Sequence, residues 1–173
     1  MIDNEPSPFV TELFKSALLA PAAKSDKAFR FELIAALVRH RDASVVPELE
    51  VALLSNHDTE LNNARANMIY ALHEIDPSSS GPILIQALRL PEARMRLAAV
   101  MAIKSAPSEA GIEALFGTLD DPDAEVQFQA IETLSVLLHK SNCARYSTAG
   151  DGAFRACAEG WRKFATAWKS PSN

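Results

Sequence analysis

One pattern of apolar residues recurs three times in this chain at a spacing of 31 residues. Its clearest copy follows Asp121-Pro122-Asp123, where Val126, Ala130, Ile131, Leu134 and Leu137 fall on one face of a helix. Asp-Pro-Asp is a stop for one helix and a cap for the next. Moving back 31 residues turns Val126, Ala130, Ile131, Thr133, Leu134 and Leu137 into Met95, Ala99, Val100, Ala102, Ile103 and Ala106. A further 31 gives Ala64, Met68, Ile69, Ala71, Leu72 and Ile75. A fourth copy, offset by 35, sets Arg30, Ile34, Ala36, Leu37 and His40 against Arg65, Ile69, Ala71, Leu72 and Ile75. Its weak point is His40, where the other copies are apolar.

A second register runs between these helices. Leu49 and Leu53 match Leu84 and Leu88 at 35, and those match Leu115 and Leu119 at 31. Two helix types sharing the same offsets mean that a helix pair is repeated. Ser44 with Pro47, Ser79 to Pro82, and Pro107 with Ser108 mark the starts of the second helices. The connections are short, so consecutive helices are antiparallel neighbours. The expectation is an all-α fold, a right-handed α–α superhelix of about four helix pairs with the last one broken. It forms one domain over 1–173, with repeats over 26–139. A helix over 8–20, with Phe9, Leu13, Phe14 and Leu18 along one side and Pro21 at its end, is expected to cap the stack. Ser141 to Gly152 reads as a loop. A helix over 153–169, with Phe154, Cys157, Trp161, Phe164 or Ala165, and Trp168 in one stripe, is expected to close the other end.

The run Asp121-Pro122-Asp123-x-x-Val126-Gln127-x-x-Ala130-Ile131-x-x-Leu134 resembles the HEAT repeat in its short bacterial form. Arg65 and Arg96 stand where HEAT repeats often carry an arginine, and Gln127 departs from it. Trp161-Arg162 with Trp168 is similar to the tryptophan-bearing closing helix of many bacterial HEAT proteins. The resemblance covers about residues 26 to 139. It implies an α-solenoid and leaves the function open, because HEAT solenoids serve many roles.

Charge narrows the partners. There are 17 Lys and Arg against 22 Asp and Glu, for a net charge of −5. The basic residues are scattered, whereas nucleic acid needs a basic track, so none is expected. DNA glycosylases built from HEAT-like repeats use a basic concave face. Glu48, Glu50, Asp120 and Asp121 give the matching second helices here the opposite sign. The apolar runs are too short to span a bilayer, and the acidic N-terminus does not read as a signal peptide. Cys143 and Cys157 lack a CxxC or a histidine cluster, so reduced thiols in the cytoplasm are expected.

Catalytic patterns are missing. The chain has no Gly-rich loop, no Gly-x-Ser-x-Gly and no cysteine with a matching His and Asp set. His73-Glu74 resembles the iron-binding pairs of deoxyhypusine hydroxylase, a HEAT-like enzyme, but it follows Ala71-Leu72 and no second pair exists. His40, His57 and His139 have no ligand spacing. Asp120, Asp121, Asp123 and Glu125 gather at a helix start, where carboxylates favour the positive end of the dipole. The reading is therefore of no enzyme, no metal and no cofactor.

What remains is a surface. In stacked helix pairs the second helices line the concave face. The register sets Glu48, Ile83 and Ala114 in one rung, Val51, Gln86 and Gly117 in the next, then Leu54, Arg89 and Asp120, then Ser55, Leu90 and Asp121. Ile83 and Leu90 read equally well as packing between repeats. The candidate partner-binding residues are Glu48, Val51, Ile83, Gln86, Arg89, Gly117, Asp120 and Asp121. The leading expectation is a protein-binding module, monomeric when unbound, holding one partner protein. One alternative is an immunity or inhibitor protein, a compact acidic binder that blocks a basic toxin or nuclease. Another is a bilin-lyase-like enzyme or enzyme subunit, since those lyases are also built of short HEAT-like repeats.

Overall fold

The computed structural model describes residues 8–39, 46–55, 62–75, 77–140 and 151–168. Among them every regular element is helical: α1 (Pro8–Leu19), α2 (Pro21–Ser25), α3 (Lys27–Arg39), α4 (Val46–Ser55), α5 (Asn62–Ile75), α6 (Pro77–Ala87), α7 (Ala93–Ser105), α8 (Glu109–Gly117), α9 (Ala124–Leu137) and α10 (Asp151–Ala167). A single 3-10 turn, Thr118–Asp120, links α8 to α9. The expected all-α architecture is present. The chain forms two compact units, Met1–Ile83 and Leu84–Asn173.

In the first unit α1 and α5 each pack on α3, and α4 packs on α5. The repeated apolar positions supply the core: Ile34 and Leu37 of α3, Leu53 of α4, and Met68, Ile69 and Leu72 of α5 are all buried. Asp26 caps α3 by accepting from the Phe29 amide at 3.0 Å. Pro21 does end α1, but it also opens α2, because proline at the first position loses no helical hydrogen bond. On α1, Leu18 is buried while Phe9 and Leu13 are exposed. His40, His57 and Ser44 lie outside the described residues.

In the second unit α7 packs on α9, and α8 packs on both. Met95, Ala99, Val100 and Ile103 of α7 face Val126, Ala130, Ile131 and Leu134 of α9, with Leu115 and Leu119 closing the layer; all ten are buried. Each is a position that the 31-residue register assigns to the core. Thr133 takes the place that Ala71 and Ala102 hold in the other copies. Its hydroxyl is buried and has no hydrogen-bond partner among the described residues.

Local chemistry sets the helix ends. Ser108 Oγ accepts from the Gly111 amide at 3.0 Å and caps α8. Asp123 Oδ1 accepts from the amides of Glu125 and Val126 and caps α9. α9 stops in a reciprocal turn: His139 adopts φ 51°, its amide donates to Val136 O, and the Lys140 amide donates to Ser135 O. The start of α6 differs from the sequence reading. The helix begins at Pro77, which suits the first turn, and Pro82 lies inside it rather than at its entrance.

α10 closes the second unit on its aromatic stripe. Trp161 is buried, and Phe116 of α8 meets the rings of Phe164 and Trp168 at 6.1 and 5.7 Å. Phe154 approaches Phe128 of α9 at 6.3 Å. The sequence expectation of reduced thiols does not hold for Cys157, which is disulfide-bonded. Cys143, the other cysteine of the sequence, lies outside the described residues. Half-buried on the packed side of α10, Cys157 sits where a cross-link can hold the closing helix to the chain before it.

Candidate functional site

Two arginines organise the surface of the second unit. Arg96, in the first turn of α7, reaches Asp121 with two hydrogen bonds of 2.7 Å, Nε to Oδ2 and Nη2 to Oδ1. Its remaining Nη1 donates to the carbonyls of Leu90 at 2.9 Å and Pro91 at 2.7 Å. The paired side chains are only 9% and 5% exposed. Burial pushes the Asp121 carboxyl up in pKa, but the Arg96 hydrogen bonds, the Asp123 amide and the guanidinium charge outweigh it and hold the group below its ordinary value. The hydrogen bonds to Asp121 likewise raise Arg96 against its own desolvation.

Arg162 of α10 makes the second clamp. Its Nε donates to Asp120 Oδ1 at 2.6 Å and its Nη2 to Leu119 O at 3.1 Å. This pair is open to water, with side chains 32% and 74% exposed. Leu119 O also accepts from Gln127 Nε2 at 2.7 Å. Gln127 thus takes over the carbonyl-binding task of the arginine it replaces. The equivalent Arg65, in the first unit, donates to Leu53 O, which matches Leu119 in the register.

Beside the first clamp lies a cleft of about 270 Å³, lined by Ile85, Leu88 and Arg89 at the end of α6, Glu113, Ala114 and Gly117 of α8, then Thr118 and Asp121. Ile85, Leu88 and Ala114 give a mainly polar lining its apolar part. Arg89, Glu113 and Gly117 are exposed at its edge. Asp121 is neutralised by Arg96, so the uncompensated charges are Arg89 and Glu113. Neither side chain makes a hydrogen bond or an ion pair among the described residues. Gly117 leaves room here: a Cβ built on it meets no atom within 4 Å, and its φ of −65° suits any residue.

The chain matches the family model of HEAT repeats over residues 81–142. Over that stretch it carries HEAT repeats. No curated protein and no solved structure matches it. HEAT repeats generally mediate protein–protein interaction and are typically scaffolds rather than catalysts. Among the described residues no three His, Cys, Asp or Glu side chains gather to hold a metal, and no helix is long and apolar enough to cross a membrane.

Of the residues picked from the register of these HEAT repeats, the structure brings Arg89, Gly117 and Asp121 together in the cleft, with their rung neighbour Ala114. Asp120 lies outside it, held by Arg162. Gln86 is exposed on α6, and Val51 is exposed in the first unit. Ile83 is buried at 3%, as is Leu90, from another rung, at 7%, which leaves both to packing rather than contact. The Glu48 side chain lies outside the described set. Glu113 escaped the sequence reading because its register partners, Pro82 and Pro47, mark helix starts. The signal that would have found it is local: Glu113 is one helical turn before Gly117, on the same face.

A second, broader hollow of about 560 Å³ lies between the end of α9 and α10, lined by His139, Lys140, Cys157, Gly160, Trp161 and Phe164. Its cation is already engaged, with Lys140 Nζ 4.1 Å from the Phe164 ring centre.

Proposed function

We propose that this chain is a non-catalytic interaction module that holds one partner protein on the face that α8 and the end of α6 form in the second unit. The observation that supports this reading is the cleft between α6 and α8, with two uncompensated charges at its edge in a HEAT-repeat setting. The apolar part of a mainly polar lining supplies some burial, and the charges select what enters. The acidic-capture alternative rests on the net charge of −5, to which Asp121 and Asp120 contribute as partners of Arg96 and Arg162. The disulfide at Cys157 favours an oxidising compartment over the cytoplasm.

Gly117→Gln tests this directly. The Cβ has room there, the rest of the glutamine side chain occupies the cleft, and replacing a helical glycine favours folding slightly. Affinity capture from the native host is expected to yield one stoichiometric protein with the parent chain and none with the variant. Equal capture by both would move the binding surface elsewhere.

A further inference from the structure

The cleft poses a specific electrostatic question. Arg89 and Glu113 face one cavity, carry opposite charge, and do not meet each other across it. Other charges of this unit are matched, Arg162 with Asp120 and Glu159, and Lys104 with Glu132, while exposed Arg94 and Lys163, like Arg89 and Glu113, make no ion pair among the described residues. An uncompensated pair of opposite sign, held apart, is complementary to a dipolar occupant that brings a base to Glu113 and an acid to Arg89. We infer that the cleft takes a peptide segment of a partner protein that carries one basic and one acidic side chain close together in sequence. This rests on the reading of the cleft as the binding surface.

Volume and exposure point to a segment of protein. A space of about 270 Å³ falls just below the ~300–1,000 Å³ of small-molecule sites and suits one long side chain. Both charges and Gly117 lie at an open edge, so an occupant also covers surface outside the cavity, as a chain does. The apolar part of the lining at Ile85, Leu88 and Ala114 suits the methylene stem of a lysine or arginine whose head reaches Glu113. Because Arg89 and Glu113 sum to zero, binding selects the arrangement of charge in the segment rather than its net charge. A uniformly basic segment would meet Arg89 as a like charge.

A random peptide library displayed on phage and selected on the full chain tests this. Enriched peptides are then synthesised and titrated by fluorescence polarisation against the parent chain, Arg89→Glu, Glu113→Arg, the double swap and Gly117→Gln. The enriched sequences should share an acid–base pair, and each single reversal should weaken binding by about tenfold or more. Peptides with acid and base exchanged should regain affinity for the double swap. Arg89 and Glu113 support no other group, so circular dichroism of these variants should match the parent. Enriched peptides that lack the pair, or that ignore both reversals while Gly117→Gln still blocks them, would overturn this inference and leave the cleft as the binding surface. Peptides that bind Gly117→Gln undiminished would overturn the cleft itself. A selection that enriches nothing would also overturn the inference, leaving the capture experiment to judge the wider reading.

Discussion

Asp120 and Asp121 are neighbours, each grasped by an arginine from another helix, and the two clamps could hardly differ more. The inner one, Arg96 with Asp121, is bidentate, nearly sealed from water, and extended by two carbonyls and the Asp123 amide. The outer one, Arg162 with Asp120, has one short hydrogen bond and faces solvent. Water is the difference. An exposed pair exchanges one good environment for another, whereas a sealed pair, once broken, strands a charge that cannot recover its hydration.

The sharpest way to break the comparison is Asp121→Ala, which leaves Arg96 buried without its carboxylate. A loss of about 3–5 kcal/mol is expected in urea denaturation, and Arg96→Leu tests the same pair from the other side. The second test is acid. The folded-state pKa of Asp121 lies below its ordinary value of 3.8, so its contribution is complete above that pH and is lost as pH falls below it. Unfolding midpoints followed down through pH 4 should fall more steeply for the parent chain than for Asp121→Asn, which should start lower and stay flatter. Identical slopes would remove the inner clamp as the source of acid sensitivity. Next in size comes a gain: Thr133→Val removes a buried hydroxyl without changing shape, and a stabilisation of about 1 kcal/mol is expected. Smallest is Asp120→Ala, expected to cost less than about 1 kcal/mol. A loss as large as that of Asp121→Ala would erase the distinction between the clamps.

Much of this was legible in the sequence, because apolar spacing and capping are local rules that repeat. Ile69, Val100 and Ile131 reach the core together for one reason, and Asp26, Ser108 and Asp123 cap their helices as their side chains dictate. The groove register was legible too, which is why Arg89 and Gly117 share a cleft. Register places a side chain on a face, but it does not say whether a cation from the preceding repeat has already claimed it. The register alone leaves Asp121 on open surface, because nothing near it in sequence announces Arg96, 25 residues earlier. Glu113 was hidden by the prolines in its column. The left-handed backbone at His139 was equally unannounced, since glycine usually takes that position. Pairing of Cys157 depends on geometry that no count of cysteines supplies.

Gln127 has a consequence for how such an array lengthens. The inner clamp spans two repeats, so a duplicated unit is clamped in the same way only if its predecessor contributes an arginine and it contributes the aspartate. Twenty-five residues beyond Arg65 stands Leu90, and at the third arginine position stands glutamine, so only Arg96 has both halves of the joint. A gene copy spliced in after α9 would arrive with an aspartate and find no guanidinium waiting. Restoring arginine at 127 would be the first edit for anyone wishing to extend this protein by one repeat.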